Sequence, residues 1–153
     1  MKFQAKPKSF AYDVDVIWTS ERKGRIEADG KPPVEVATPP EFKGHPGYWS
    51  PEDLFVQAVN VCLMCTFVGT AARQQISFLD YRCHARGILE TADGMLQFTE
   101  IILEPVISLP AGVEIEAARK VLQDAKRNCL VANSITAHVQ MNENIISCKV
   151  VES

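Results

Sequence analysis

The chain has 153 residues, of which 46% are hydrophobic and 23% are charged, as in an ordinary globular domain rather than a disordered or low-complexity one. We predict one domain over residues 1–153. A formal net charge of -3 leaves no general basic field for phosphates, so nucleic acid is not an expected partner. Residues 1–9 contain lysines but no apolar run follows them, which indicates no secretory signal and favours the cytoplasm.

The N-terminal third shows the period-two alternation of half-buried strands. Apolar residues recur at every second position from Phe10 to Trp18, with acidic residues between them. Asp29-Gly30 is a strong tight-turn signal. An antiparallel meander is therefore expected. Its predicted strands cover residues 10–19, 25–28 and 34–38.

A long central helix is predicted next. Ser50 is a suitable N-cap, Pro51 suits the first helical position, and two acidic residues follow at the positive end of the helix dipole. The apolar pattern continues to about Arg73 and has few polar positions, which predicts a buried helix. Residues 54–72 carry no charge and are long enough to span a membrane. Because polar residues interrupt this segment and no second span exists, a core helix is the preferred interpretation and no membrane association is expected.

The second half of the chain predicts a hairpin, a second helix and two closing strands. Asp93-Gly94 closes the hairpin, and Pro105 is expected at an edge or a bulge. A 3.6-residue apolar period predicts the helix. The expected ranges are 76–89 and 96–109 for the hairpin, 113–126 for the helix, and 135–141 with a returning strand at 145–151. The order of elements predicts an α+β fold with mainly antiparallel pairing around the central helix. A two-fold homodimer would cover so large an apolar helix.

Five cysteines in an apparently cytosolic chain argue against a disulfide framework. His45, His84 and His138 are scattered without the spacing of a zinc site, so no metal is expected. Cys62 and Cys65 form a Cys-x-x-Cys pair, but the pair lies in the middle of the helix, where the helix dipole does not activate a thiol. Buried packing is the simpler role for Cys65, and a disulfide reductase is a weaker alternative.

Three segments carry a resemblance to a known family. Residues 50–55, Ser-Pro-Glu-Asp-Leu-Phe, are followed by Cys62 ten positions after Glu52. Asn128-Cys129 with residues 131–134 resembles a second cysteine motif, and residues 21–25, Glu-Arg-Lys-Gly-Arg, match an N-terminal turn. Together they resemble the OsmC/Ohr family, the osmotically inducible protein C and organic hydroperoxide resistance proteins. The similarity extends over nearly the whole chain.

The resemblance implies an OsmC-like fold, an intertwined homodimer with sites at its interface, and a cofactor-free peroxidase that reduces organic hydroperoxides. It implies that Cys62 is the peroxidatic cysteine and Cys129 the resolving cysteine, with Arg22 and Glu52 as the polar pair beside the reactive sulfur. An external dithiol must reset the enzyme. Leu130 follows Cys129 at a position where the family's peroxidases usually have proline. The remaining cysteines match no family role: these are Cys65, Cys83 and Cys148.

The helix geometry adds a hypothesis about the dimer. Ten residues at about 1.5 Å each place Glu52 and Cys62 roughly 15 Å apart along one straight helix, too far for both to touch one peroxide. We therefore expect Glu52 of one chain to approach Cys62 of the other.

The loop before the central helix ends in Tyr48-Trp49. These rings either form the wall of an apolar substrate pocket or pack against the helix start, and both interpretations stay open. The alternative to a peroxidase is a non-enzymatic protein of the same fold that binds a small apolar ligand or senses oxidation through its cysteines.

Overall fold

The computed structural model describes residues 8–148. The described residues divide into two compact units, an N-terminal unit that ends at Asp53 and a C-terminal unit that begins at Leu54. Helices and mainly antiparallel strands are combined along the chain, which confirms the predicted α+β class.

The N-terminal unit contains an antiparallel sheet in the order β1-β2-β3, followed by one turn of 3-10 helix at Pro40–Phe42. Its strands are β1 Asp15–Ser20, β2 Lys23–Glu27 and β3 Val34–Ala37. The predicted first strand is too long, because residues 10–14 form no strand. It is also not half-buried: every residue of β1 is exposed, since within the described chain nothing covers its apolar side chains.

Helix α1 spans Pro51–Arg73, which confirms the predicted start and end. Its first turn is fixed by a reciprocal capping box. Ser50 Oγ accepts a hydrogen bond from the Asp53 N–H at 3.0 Å, and Asp53 Oδ2 accepts one from the Ser50 N–H at 3.0 Å. These bonds satisfy backbone donors that a helix start otherwise leaves free.

Only one face of α1 is buried in the single chain. That face consists of Val59, Leu63, Phe67, Thr70 and Ala71. On another face Val61, Met64 and Val68 are 39–48% exposed, so the prediction of a buried helix is confirmed for one face of α1 and is wrong for this other face in one chain. An 18-residue window of α1 has a mean hydropathy of 1.8, enough to cross a membrane by length and composition. The core helix of a soluble protein passes the same test.

The C-terminal unit is built on the hairpin of β4 Asp80–Ala92 and β5 Met95–Leu109. Asp93 and Gly94 close it with positive φ angles of 51° and 77°, as a tight primed turn requires. The predicted hairpin and its turn are confirmed, but the first strand lies three to four residues later than the predicted range of 76–89. The β-bulge lies between Ile88 and Leu89.

The last two strands, β6 His138–Met141 and β7 Asn144–Ser147, both run parallel to β5. They lie one after the other along β5, so the prediction that the last strand turns back is wrong; its residues 149–151 lie outside the described range. Pro105 is buried and pairs with Cys83, with neither an edge nor a bulge at that position. It falls between the segments of β5 that pair with β6 and β7, where a missing N–H costs no ladder hydrogen bond.

Helix α2 covers Ile115–Arg127, and a 3-10 turn follows at Ala132–Ser134. The predicted helix therefore forms, shifted by one or two residues. Its apolar face joins the buried face of α1 and the inner side of β5 in one core, which contains Leu63, Phe67, Ile101, Leu103, Ile107, Val121 and Leu122. This core fixes the C-terminal end of α2 against the middle of α1.

Candidate active site

Two thiols from different elements meet in the C-terminal unit. Cys62 lies in the middle of α1, and Cys129 lies just beyond the end of α2. The Cys129 Sγ is 4.0 Å from the carbonyl oxygen of Val59, one turn before Cys62 on the same helix. Each thiol acts on the pKa of the other. Both are free; Cys62 is half-buried, and Cys129 is 1% exposed.

The surroundings of Cys62 favour its anionic form. Burial, the largest influence, raises the pKa of Cys62. Hydrogen bonds from the Val131 backbone N–H, the Cys129 thiol, the Thr66 hydroxyl and the Leu130 backbone N–H lower it. The sum is a pKa below the ordinary value of 9.0. Since the thiolate is the nucleophilic form of cysteine, Cys62 is the more reactive of the two thiols.

Cys129 is in the opposite state. Burial, the largest influence, and the neighbouring Cys62 raise the pKa of Cys129, while hydrogen bonds from the N–H groups of Ala132 and Val131 lower it; the net result is a pKa of about 11. Cys129 is therefore a neutral thiol near neutral pH. Cys62 is thus biased toward the anion, and Cys129 keeps its proton. This arrangement suits a nucleophile and a second thiol that reacts after it.

The turn that carries Cys129 is held by its own side chains. The Asn133 N–H donates to the Cys129 carbonyl at 3.0 Å, and the Asn133 side-chain amide donates to the Arg127 carbonyl at 3.0 Å. The Ser134 hydroxyl donates to the Leu130 carbonyl at 2.7 Å. The carbonyl groups of the turn are thus occupied, while its N–H groups at residues 130–132 help to lower the pKa values of the two thiols.

Arg22 lies in the turn between β1 and β2 in the N-terminal unit. Its Nη1 donates to the Phe42 carbonyl at 3.1 Å. The residue borders an apolar cavity of about 390 Å³ lined by Trp18, Val36, Thr38 and Pro51 among others. The guanidinium is exposed, and within residues 8–148 its other N–H groups donate no hydrogen bond.

Glu52 lies in the first turn of α1, and its Oε2 is buried without a hydrogen-bond partner. Within residues 8–148 no ion pair joins Glu52 to Arg22. A buried carboxylate oxygen is costly unless a donor or cation meets it. The pair expected from the sequence is therefore not formed in one chain.

Tyr48 and Trp49 are tied to the N-terminal sheet. The Trp49 carbonyl accepts a hydrogen bond from the Ala37 N–H at 3.0 Å, and Trp49 forms a parallel β-bridge with Val36. Lys23 Nζ lies 5.5 Å above the Tyr48 ring. Both rings are partly exposed. Their backbone role is structural, and their assignment to substrate binding stays a prediction.

Several groups around the two thiols carry no signal that sequence reasoning could detect. Thr66 donates to the Cys62 carbonyl at 2.8 Å, one helical turn ahead. Tyr81 and Cys83 share one face of β4 and line a cavity of about 180 Å³ with Asn60. The Tyr81 hydroxyl is buried without a partner, and burial raises the pKa of Tyr81 far above its usual value. Cys65, by contrast, is exposed, so the buried packing predicted for it is wrong in one chain.

Within residues 8–148, no group of three or more histidine, cysteine, aspartate or glutamate side chains is placed to hold a metal ion.

A family model described as OsmC-like protein matches residues 44–144, which include Glu52, Cys62 and Cys129. This chain belongs to the OsmC-like protein family. Among curated proteins, the uncharacterised protein YmaD of Bacillus subtilis is 22% identical over 129 residues, which cover 81% of this chain and 85% of YmaD.

Solved structures of OsmC-like proteins share the fold. An OsmC-like protein of unknown function from Vibrio cholerae has a TM-score of 0.80 at 24% identity, and the match covers 88% of this chain and 99% of that one. An organic hydroperoxide resistance protein OsmC from Legionella pneumophila has a TM-score of 0.70 at 22% identity, covering 92% of this chain and 99% of that one. The OsmC-like fold expected from the resemblance is confirmed.

Proposed function

We propose that this OsmC-like protein is a thiol-dependent peroxidase that reduces organic hydroperoxides to alcohols. The observation that carries the proposal is the meeting of Cys62 and Cys129, one thiol biased toward its anion and the other held neutral. The name of the Legionella structure, an organic hydroperoxide resistance protein, supports the substrate class.

The reaction uses the two sulfurs in turn. The Cys62 thiolate attacks one oxygen of the hydroperoxide, the O–O bond breaks, and the alkoxide takes a proton and leaves as the alcohol. Cys62 is then a sulfenic acid. Cys129 attacks this sulfur, the S–O bond breaks, and the hydroxyl leaves with the Cys129 proton as water. An external dithiol reduces the resulting disulfide by two thiol exchanges and is itself oxidised.

The burial of the two cysteines supports this order. Cys62 is half-buried, so a hydroperoxide can reach its sulfur, whereas Cys129 is 1% exposed and has a pKa of about 11. A neutral, enclosed thiol reacts poorly with peroxide in solution but can attack a sulfenic acid formed beside it. Cys62 is accordingly the peroxidatic residue in this proposal and Cys129 the resolving residue.

Arg22 and Glu52 complete the proposed site. A guanidinium can bind the peroxide oxygen and stabilise the developing charge, and a carboxylate can hold that guanidinium in place through paired hydrogen bonds. The unpartnered Glu52 Oε2 and the free donors of Arg22 support this role. Tyr48 and Trp49 are assigned to the apolar side of the substrate.

The proposed assembly is a cytoplasmic homodimer. Its support is the apolar surface that one chain leaves uncovered: Phe10, Tyr12 and Trp18 are 73–89% exposed, and α1 exposes Val61 and Val68. Soluble monomers rarely expose contiguous apolar surface of this kind. A second copy would bury it and bring a second set of site residues.

The test is stopped-flow oxidation of the fully reduced protein by cumene hydroperoxide and by hydrogen peroxide, followed by peptide mapping. We expect fast oxidation by the organic peroxide and a disulfide between Cys62 and Cys129. Cys62→Ser should abolish the reaction, while Cys129→Ser should stop at the sulfenic acid. Cys65→Ser is the matched control on the same helix. An unchanged rate in Cys62→Ser would refute the peroxidase.

A binding protein is the second candidate, favoured by one observation. The N-terminal unit has an apolar cavity of about 340 Å³ lined by Val14, Val16, Ile26 and Val34 among others, a volume suited to a small ligand. The same stopped-flow experiment distinguishes the peroxidase from the binding protein. Slow, unselective oxidation of the wild type would favour the binding protein. A Cys62→Ser, Cys129→Ser double variant should then still bind an apolar fluorescent probe.

A further inference from the structure

The turn between β1 and β2 carries Arg22 and is held through the residue before it. Glu21 has a φ angle of 49°, a left-handed conformation that residues other than glycine rarely adopt and that persists only where the surroundings support it. Contacts on both its backbone and its side chain provide this support. The Trp18 indole N–H donates to the Glu21 carbonyl at 2.9 Å, and Glu21 Oε2 lies 3.6 Å from Lys23 Nζ.

A further partner of Glu21 comes from the loop before α1. His45 Nε2 lies 3.2 Å from Glu21 Oε2, a distance at which an imidazole N–H can donate to a carboxylate, and protonation of His45 makes the same contact an ion pair. The loop crosses the end of β3 closely. The His45 N–H donates to the Thr38 carbonyl at 2.9 Å, and a Cβ atom at Gly44 would overlap that carbonyl oxygen. The glycine therefore permits the crossing that places His45 beside Glu21.

The same loop holds Arg22 by its backbone and by its guanidinium. The Thr38 N–H donates to the Arg22 carbonyl at 3.0 Å, and Arg22 Nη1 donates to the Phe42 carbonyl at 3.1 Å. The guanidinium therefore keeps this position only while the loop and the turn stay together. The contact between Glu21 and His45 ties the loop to the turn at the residue next to Arg22.

We propose that Glu21 and His45 form a clasp that keeps the loop of residues 38–45 against the β1–β2 turn, and that His45 is a positioning residue for Arg22. The inference rests on the proposed function in taking Arg22 as a residue of the peroxidase site. A guanidinium that is fixed before the substrate arrives avoids the entropy cost of ordering it during the reaction. His45 acts through Arg22 and not on the peroxide.

The clasp is partly exposed. The side chain of His45 is 28% exposed and that of Glu21 is 66% exposed. Ion pairs of such exposure contribute little to the stability of a fold. Substitution of His45 should therefore leave the chain folded, which circular dichroism establishes for each variant, while the loop loses one of its ties to the turn. The effect is expected on the position of Arg22 and not on the core.

The first measurement is the rate at which phenylglyoxal modifies Arg22, determined by peptide mapping. Phenylglyoxal reacts with guanidinium groups, so this measurement needs no peroxide. His45→Leu removes the clasp, His45→Gln keeps a side-chain N–H that can reach Glu21, and His138→Leu is the matched control at a histidine outside the clasp. We expect His45→Leu to raise the rate about fivefold, and the other two variants to stay within about twofold of the wild type. An unchanged rate in His45→Leu would overturn the proposal.

The second measurement tests whether the clasp acts in the reaction. Stopped-flow oxidation by cumene hydroperoxide is compared for the wild type, His45→Leu, Arg22→Ala and the double variant. We expect His45→Leu to be oxidised about fivefold more slowly than the wild type. The double variant should be oxidised as fast as Arg22→Ala, because a residue that acts through Arg22 has no effect once Arg22 is absent.

The two measurements separate this inference from the proposed function. An equal slowing by His45→Leu in the presence and in the absence of Arg22 would overturn the positioning role. If the wild type is not oxidised by the hydroperoxide while His45→Leu still speeds the modification of Arg22, the proposed function fails and the clasp stands.

Discussion

Cys129 offers a test of the electrostatics at the level of one residue. Its pKa is raised from 9.0 to about 11 by burial and by Cys62, so the folded protein favours the neutral thiol. The stability this provides is complete below pH 9.0 and is lost as the pH rises toward 11. We expect the reduced protein to lose about 2 kcal/mol of unfolding free energy over this range from Cys129 alone.

The measurement is urea unfolding of the reduced protein at about pH 8 and about pH 10.5, compared with Cys129→Ala. The absolute stability of the variant is not the readout, because other groups titrate in the same range. The difference in pH dependence between the two proteins reports the Cys129 thiol together with its effect on the pKa of Cys62. Equal loss of stability in both proteins would show that Cys129 does not carry a raised pKa.

At the same scale, the sequence identified the cysteines but not what surrounds them. The spacing from Glu52 to Cys62 and the second motif at Cys129 are readable because they are side-chain patterns. The N–H groups of residues 130–132 have no side-chain signature, since any residue except proline provides one. The turn that carries them is closed by Asn133 and Ser134, and only the folded chain shows this closure.

Among the elements, α1 depends on a cap that can be tested directly. Ser50 Oγ accepts the Asp53 N–H and also donates to the Asp53 carboxylate at 2.9 Å. Ser50→Ala removes both bonds in a residue that is 3% exposed. We expect a loss of about 1 kcal/mol in unfolding free energy, measured by chemical denaturation. Ser50→Thr keeps the hydroxyl and should retain most of the stability; a loss as large as that of Ser50→Ala would mean that the hydroxyl is not the cause.

The elements also show which sequence signals are sufficient. α1 and the β4–β5 hairpin were predictable because their ends are set locally, by the Ser50 cap and by positive φ angles at Asp93 and Gly94. The arrangement of β6 and β7 was not, because the sequence predicts a returning last strand, whereas both strands run parallel to β5. Parallel pairing is decided by contacts distant in sequence, which alternation of side chains does not encode. Local chemistry fixed the boundaries of these elements, and distant pairing fixed their neighbours.

At the scale of the whole molecule, the single chain is incomplete in two respects. It exposes apolar residues of its N-terminal segment, including Phe10, Tyr12 and Trp18. It also buries one oxygen of Glu52 without a partner. The exposed apolar residues require a surface that covers them, and the buried Glu52 oxygen requires a hydrogen-bond donor. A second copy of the chain can supply both, which connects assembly to the proposed chemistry.

This connection predicts where Glu52 acts. If Glu52 of one chain serves Cys62 of the other, a heterodimer of a Glu52→Ala chain and a Cys62→Ser chain retains one intact site. Heterodimers isolated with two different affinity tags should then show about half of the wild-type peroxidase rate, since a two-fold dimer has two equivalent sites. The reciprocal heterodimer, wild type with a Glu52→Ala, Cys62→Ser double variant, should be nearly inactive, because each of its sites lacks either Glu52 or Cys62.

If Glu52 instead acts on Cys62 of its own chain, both heterodimers give the opposite result: the first is inactive and the second keeps half of the rate. The pair of measurements therefore decides between the two arrangements, with each heterodimer serving as the control for the other.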